Sequence, residues 1–450
     1  MTSAAVPDGQ RGDDDRGGLR AALSGLTTRG RSFLAAGVAA AVCAYVLGQA
    51  DLLRVGLLLA VLPLVCVLVL HRTRYRVAAS RLLTPQRVET GTEARVQLRM
   101  ENVSKLPTGL LMLQDHVPYM LGSRPRFVLD RVEAGGRREV SYRVRSDLRG
   151  RFPLGPLQLR LSDPFGMCEL TRSFSAYDTL TVVPRTEVLP PVGLFGEAAG
   201  HGEGQRRALA LSGDDDVIPR AYRHGDDLRR VHWRSTARYG ELMVRREEQP
   251  QRARCTVLLD TREVAYRGAG PDSAFEWAVS GTASALVHML ERGYTVRLLT
   301  DTGSAVPGEG SEGFGGSVQD PADSAGLMMD TLAVVDHSEG AGLSRASDVL
   351  RAGGDGLLVA FLGDLDEEQA ALVARMRGRT GAAVAFVLDS GAWLTGGSVS
   401  GAVEDRVRQL REAGWTALAV PPGARLAELW QQAAGARAEA AADTPYGGWS

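Results

Sequence analysis

The stretch Asp214-Asp-Asp-Val-Ile-Pro-Arg-Ala-Tyr-Arg-His-Gly-Asp-Asp-Leu-Arg-Arg-Val-His-Trp-Arg-Ser-Thr-Ala-Arg-Tyr-Gly-Glu-Leu-Met-Val-Arg-Arg-Glu247-Glu248 is the densest mixture of charge and aromatic side chains in the chain. Between Ile218 and Arg246 it holds eight arginines against three acids (Asp226, Asp227 and Glu241), with His224, His232, Tyr222, Trp233 and Tyr239 among them. Gly225 opens a turn, and Asp226 is placed to cap a helix that starts at Asp227. Leu228, Val231, His232 and Ser235 then fall at i, i+3, i+4 and i+7, a narrow inward stripe. Arg229 and Trp233, four apart, share the opposite face within stacking reach. Gly240 suits the helix C-terminus, and Leu242-Met-Val244 restarts as a strand. The segment therefore predicts strand, capped helix, strand, with arginines on its surface.

Outward from this segment, the C-terminal part alternates strand and helix. Strands are expected at Thr256–Leu259, Tyr294–Leu299, Gly356–Leu362, Ala382–Leu388 and Thr416–Val420. Helices are expected at Ala274–Leu290, Ala325–Val335, Asp366–Met376, Val403–Ala413 and Leu426–Ala434. That order implies an α/β open parallel sheet with helices on both faces over residues 254–435. Residues 436–450 read as a disordered tail. Upstream, residues 190–213 carry Pro190-Pro191 and a run of glycines that includes Gly193, Gly196, Gly200, Gly202 and Gly204, and read as a linker. Residues 78–185 contain short alternating runs, Val88–Met100, Gly109–Asp115, Glu139–Ser146, Leu157–Leu161 and Leu180–Val183, punctuated by turn residues. They predict a β-sandwich. Asp163-Pro164 is a turn signal rather than a metal ligand, since no second ligand sits near it.

At the N-terminus, residues 1–31 read as a disordered tail. Two apolar spans follow within 32–71, Ser32 to Leu47 and Leu52 to Leu70, the second broken only by Arg54. Roughly 20 apolar residues cross a bilayer as a helix, so the pair predicts a transmembrane hairpin, with residues 32–70 in contact with lipid. Arg20, Arg29 and Arg31 precede it, and Arg72, Arg74 and Arg76 follow. Positive residues at both outer ends place both termini and the soluble parts in the cytoplasm, at the inner membrane.

The run Ile218-x-Arg220-x-Tyr222-x-x-Gly225-Asp226-x-x-Arg229-x-Val231-His232-Trp233-x-Ser235-x-Ala237-Arg238-x-Gly240-x-Leu242-x-Val244-Arg245, within residues 214–248, resembles the signature of the domain of unknown function 58 family. Phrases in Arg149–Pro156 and Asp163–Met167 resemble recurrent phrases of the same family. The resemblance implies a membrane-anchored bacterial protein, a MoxR-type AAA+ ATPase as partner, and a von Willebrand factor A-like α/β domain. Such domains often hold Mg²⁺ through Asp-x-Ser-x-Ser after the first strand. Here the place reads Asp260-Thr-Arg-Glu-Val264, with Arg262 and Val264 at the hydroxyl positions. An arginine repels a divalent cation and valine offers no oxygen, so no metal or other cofactor is expected, and Asp260 is left to pair with an arginine or cap the loop.

The charge balance of 52 basic and 53 acidic residues, net −1, excludes a dedicated nucleic-acid coat. Lys105 is the only lysine, so the arginine content reflects a compositional bias as well as local need. Four cysteines without a C-x-x-C pair argue against a disulfide framework or structural zinc. No G-x-S-x-G, H-E-x-x-H or Walker A pattern is present. The reading is thus an adaptor rather than an enzyme. Arg220, Arg229, Arg230, Trp233 and Arg238 are the candidate contact residues, and Tyr222, Gly225, Asp226, His232, Ser235 and Gly240 set the segment's shape; the other reading of the same motif is an intramolecular salt-bridge network joining the two folded parts. The alternative is a metal-dependent hydrolase using Asp214–Asp216, Asp226, Asp227 and Asp260.

Overall fold

The computed structural model describes residues 25–74, 77–104, 107–108, 110–163, 165–191, 219–221, 233–245, 254–306, 321–352 and 356–442. They form two compact units, Met1–Val182 and Val183–Ser450.

The first unit begins with two helices, α1 (Thr28–Leu47) and α2 (Ala50–Arg74). Both are long and apolar enough to cross a bilayer, and only 17% and 22% of their apolar windows are covered by protein. That exposure distinguishes them from the core hairpin of a soluble fold. They pack closely because glycine faces backbone on both sides. A Cβ on Gly37 would lie 2.6 Å from the Ala60 nitrogen, and one on Gly56 2.8 Å from the Ala41 nitrogen. The turn between the helices closes on Gly48 in the left-handed region (φ 65°), where a side chain would be strained.

Residues 25–31 do not behave as the expected tail. Leu26 is 5% exposed, bridges to Cys168 and sits in the same core as the strands. Thr27 caps α1, its hydroxyl accepting from the Gly30 N–H. Burial of one leucine and one filled cap fix the chain before the apolar span starts.

Ten strands follow: β1 (Val77–Thr84), β2 (Arg87–Glu89), β3 (Glu93–Asn102), β4 (Leu110–Asp115), β5 (Arg126–Leu129), β6 (Arg137–Arg145), β7 (Gly150–Leu154), β8 (Leu157–Ser162), β9 (Glu169–Phe174) and β10 (Asp178–Val183). They make sheets in the orders β1-β3-β6, β2-β10-β7 and β5-β4-β8-β9. The inward residues of alternating strands, such as Ala94, Val96, Leu98 and Met100 on β3, meet Leu111, Leu113, Leu159 and Leu161 in one core. The expected single strand Val88–Met100 is two. Gly91 turns at φ 77° and donates to the Ser146 carbonyl at 2.7 Å, which breaks the run.

A buried polar network crosses this sandwich. Arg81 on β1 binds both oxygens of Asp115 on β4 (2.5 and 3.0 Å), and reaches Asp178 of β10 at 3.1 Å and the Leu154 carbonyl at 2.9 Å. Tyr142 on β6 donates to Asp115 at 2.6 Å. The Arg81 and Asp115 side chains are 3% and 0% exposed, so the pair is held by mutual satisfaction rather than by water. Burial pushes the Tyr142 phenol far above its ordinary range, and the neighbouring Asp115 adds to it.

In the second unit, β11 (Pro219–Ala221), α3 (Trp233–Tyr239) and β12 (Met243–Arg245) precede an α/β sheet. Its elements are β13 (Arg254–Leu259), α4 (Ala274–Glu291), β14 (Thr295–Thr300), β15 (Ala305–Val306), α5 (Pro321–Val334), α6 (Ser344–Ala352), β16 (Leu357–Leu362), α7 (Glu367–Met376), β17 (Ala382–Leu388), α8 (Ser390–Thr395), α9 (Gly401–Glu412), β18 (Thr416–Val420) and α10 (Leu426–Ala442). The last helix runs on to Ala442, past the expected end at Ala434, because the alanines on both sides of Gly435 have high helix propensity and no proline interrupts them.

The sheet order is β15-β14-β13-β16-β17-β18. The pairs among β14, β13, β16, β17 and β18 are parallel, and only β15 pairs antiparallel, at the edge. Both faces are covered. Val257 and Leu259 point into a core with α4, α5 and α10, whereas Leu258 joins a second core with α6, α7 and α9. This two-sided burial is why the strands read as continuous apolar runs.

Candidate functional site

The described parts of the Arg-rich segment form a small ribbon. β11 and β12 pair antiparallel, with Arg220 opposite Val244, and α3 lies in the connection between them. The Gly240 N–H donates to the Thr236 carbonyl at 2.9 Å, and Gly240 adopts φ 74°. The Met243 N–H donates to the Thr236 hydroxyl at 3.0 Å, which aims the chain from the helix into β12. Gly240 thus does what its position predicted, ending a helix in the left-handed region.

Trp233 is 71% exposed, and Tyr239 is exposed with it. Arg238, also exposed, lies in the last turn, where its charge favours the helix C-terminus. Ser235 falls within the same helix. Tyr222, Gly225, Asp226, Asp227, Arg229, Arg230 and His232 lie outside the described residues, as do Asp214–Asp216. So do the expected helix start at Asp227 with its Asp226 cap, most of the inward stripe and the Arg229–Trp233 stack.

The second candidate lies at the carboxyl edge of the parallel sheet. β13 there has β14 on one side and β16 on the other, the place where strand order reverses and open α/β sheets bind ligands. Asp260 follows β13 and is 0% exposed. Arg262, 2% exposed, turns back on it. Its Nε donates to Oδ1 at 2.9 Å and its Nη2 to Oδ2 at 2.7 Å, a bidentate pair. The backbone N–H groups of Arg262 and Gly363 donate to the same carboxylate, and Arg262 Nη2 also reaches the Asp364 carbonyl at 3.3 Å. Burial alone would lower the Arg262 pKa, but hydrogen bonding and attraction to Asp260 outweigh it and hold the guanidinium above its ordinary value. The guanidinium occupies the side of Asp260 that a cation would need. Asp260, which the sequence left to pair with an arginine or cap the loop, pairs here with Arg262.

The neighbouring strand-end acids are also committed to the backbone and to hydroxyls. Asp301 accepts from the Thr261 N–H (2.9 Å), the Thr261 hydroxyl (2.5 Å) and the Ser338 hydroxyl (2.6 Å). Asp364 accepts from the Ser390 N–H at 3.0 Å and from its hydroxyl at 2.5 Å. Asp389 caps α8 through the Ala392 N–H and takes the Ser400 N–H at 2.7 Å. Among the described residues, no group of three or more His, Cys, Asp or Glu side chains is arranged to hold a metal ion. Asp163 binds the Phe165 and Cys168 N–H groups of its own turn.

Two features escaped the sequence reading. Arg81, Asp115 and Tyr142 are far apart in the chain, and only the β pairing brings them together; the one clue was an arginine inside the apolar run 77–84. Ser338 and Thr261, which complete the Asp301 site, look like ordinary loop residues.

These elements define a class: an apolar two-helix hairpin joined to a β-sandwich in one unit, and an α/β unit preceded by an Arg-rich ribbon. Residues 219–350, from β11 to α6, match the family described as Protein of unknown function DUF58. The chain is also 26% identical over 233 residues to the uncharacterized protein YeaD of Bacillus subtilis (strain 168), covering 48% of this chain and 53% of that protein. The chain thus spans about half the length of this curated relative. Among solved structures, the CARDB domain of the PF1109 protein of Pyrococcus furiosus is 10% identical, with a TM-score of 0.19 over 24% of this chain and 94% of its own. The sporulation control protein Spo0M of Bacillus subtilis is 12% identical, with a TM-score of 0.16 over 24% of this chain and 49% of its own.

Proposed function

We propose that the chain is a membrane-anchored adaptor that docks a protein partner on the Arg-rich segment and on the α/β unit that follows it. The observation that carries this reading is Trp233, 71% exposed on a helix that also presents Arg238. A tryptophan held in water by an ordered, capped helix forgoes burial worth about 2–3 kcal/mol. Tryptophan and arginine are the side chains most enriched at interface hot spots, since they combine contact area with hydrogen bonding.

The partner that fits the segment is a protein surface bearing acids and an apolar pocket. The family resemblance suggests a MoxR-type AAA+ ATPase for that role. The layered, parallel-rich α/β unit is compatible with the von Willebrand factor A-like domain that the family resemblance implies, and in this reading the Arg262–Asp260 pair favours docking without a metal bridge. In the same reading the hairpin spans the inner membrane. The arginines flanking its outer ends, Arg29 and Arg31 before and Arg72 and Arg74 after, keep both termini and the soluble units in the cytoplasm.

The test is affinity purification from native membranes of the intact chain beside an Arg229→Ala/Arg230→Ala/Trp233→Ala variant matched for abundance and melting temperature. An AAA+ ATPase recovered with the intact chain and lost with the variant supports the docking face. Equal recovery with both removes these side chains from the dock. Recovery with neither counts against the adaptor.

A further inference from the structure

The end of the β-sandwich nearest the hairpin carries exposed apolar side chains, and its height along the helices sets what they meet. The contacts of Gly37 with Ala60 and of Gly56 with Ala41 fix the antiparallel register of α1 and α2, which places Gly30 level with Val67. At that same level the sandwich begins. A Cβ on Gly30 would lie 2.2 Å from the Met167 carbonyl, and Val67 is buried in the sandwich core. The Thr27 N–H donates to the Met167 carbonyl at 2.9 Å, and the Thr27 hydroxyl to the Gly166 carbonyl at 2.7 Å.

From Gly30 to Leu47, α1 rises only about 26 Å at about 1.5 Å per residue. A bilayer hydrocarbon core is about 30 Å thick. The Asp51–Arg54 ion pair, largely exposed, sits just past the turn and shortens the apolar length on α2 further. The missing length is found beside the sandwich. Leu68 and Val69, one and two residues beyond the level of Gly30, are 63% and 54% exposed. Covering them with lipid brings the hydrocarbon boundary up to the loop between β8 and β9.

That loop holds Phe165, 58% exposed. Leu110, 48% exposed, pairs with Ser162 beside it, and Val103, 63% exposed, follows Asn102, which pairs with Val77 just after α2. Arg29 and Arg31 are exposed on the first turn of α1, level with the end of the apolar stretch, and their long side chains reach from there toward the headgroup phosphates. Resting on the transmembrane reading of the hairpin, we propose that this end of the sandwich is seated in the headgroup–acyl boundary of the bilayer. Phe165, Leu110 and Val103 enter the apolar edge, and Arg29 and Arg31 meet the phosphates.

The test is photocrosslinking of the full chain in vesicles of phosphatidylethanolamine and phosphatidylglycerol. Benzoylphenylalanine replaces, one at a time, Phe165, Leu57 on the lipid face of the hairpin, and Tyr119 at the far end of β4. Adducts are identified by mass spectrometry. All three side chains are exposed, so each variant should melt like the parent. Lipid adducts at Phe165 and Leu57 but not at Tyr119 are expected. Adducts at Leu57 alone overturn the seating while leaving the membrane anchor intact. Adducts at none overturn both. Adducts at Tyr119 equal to those at Phe165 overturn the claim that one end of the sandwich is the contact.

Discussion

Replacing Arg262 with methionine removes the guanidinium that neutralises Asp260 and fills its volume with an apolar side chain. Asp260 is 0% exposed, so its carboxylate cannot recover the lost partner from water. Breaking one half of a buried ion pair costs about 3–5 kcal/mol. For a unit of this size about 2–4 °C of melting temperature is lost per kcal/mol, so a fall of roughly 6–20 °C is expected. The reporter is built in. All six tryptophans lie beyond Val182, so selectively excited tryptophan fluorescence in a thermal or urea melt of the full chain reads the second unit alone. The Asp260→Leu/Arg262→Met double variant carries neither charge. It loses the hydrogen bonds from the Gly363 and Arg262 N–H groups to Asp260 and that from the guanidinium to the Asp364 carbonyl, each worth about 1 kcal/mol, but leaves no buried unpaired charge and should melt above the single variant. A single variant that shifts by less than about 1 kcal/mol, or a double variant no better than the single one, would refute a buried paired charge at this edge.

Other outcomes follow from the same structure. Arg81→Met in the sandwich strands Asp115 and should cost about 3–5 kcal/mol, measured by urea unfolding followed by far-ultraviolet circular dichroism. Trp233→Ala, on an exposed side chain, should change stability by no more than about 0.5 kcal/mol in a fluorescence melt; a larger loss would mean that Trp233 packs within its own unit. Burial, and then the charge of Arg292, lowers the His288 pKa below its ordinary 6.5. The unfolded chain therefore binds the proton first, so His288 contributes fully above pH 6.5 and its contribution falls as pH drops through the folded pKa. A His288→Gln variant should flatten that part of the stability profile. Burial would raise the Asp389 pKa, yet the N–H donors of Ala392, Ser400 and Gly391, with Ser400, hold it below its ordinary 3.8. Its contribution is present above that value and is lost as pH falls through the folded pKa; an Asp389→Ala variant that melts like the parent at neutral pH would refute the cap.

Strands buried on both faces were the most legible part of the chain. Ala382–Leu388 and Thr416–Val420 fall where expected, because an uninterrupted apolar run of five to seven residues has few other solutions. The hairpin was legible for the same reason. The half-exposed strands were not. In β7, Pro153 argues against a strand, yet β7 lies at the end of its sheet, where a missing N–H is tolerated. β9 mixes Glu169, Thr171, Arg172 and Ser173 with only two apolar residues, so its alternation is faint. α6 was missed because only Ala346, Ser347 and Leu350 are buried in it, too thin a stripe to stand out. At the candidate sites, the Gly240 turn and the pairing of Asp260 with an arginine came from local chemistry. The direction in which Arg262 turns did not, because it depends on Gly363 and Asp364 a hundred residues away.

Topology across a bilayer is ordinarily decided during synthesis, by which arginines fail to cross. For the transmembrane hairpin proposed above, the folded chain would carry a second record of it. Glu169 donates its N–H to the Gly25 carbonyl at 2.8 Å, and Leu26 completes a core otherwise built from Val67 of α2 and residues after the hairpin. Those contacts require the segment before the first helix to emerge on the same face as the strands after the second. A half-inserted hairpin would therefore leave a leucine-sized hole and unpaired edge groups in the sandwich. Misinsertion becomes a folding defect, visible to proteases on either side.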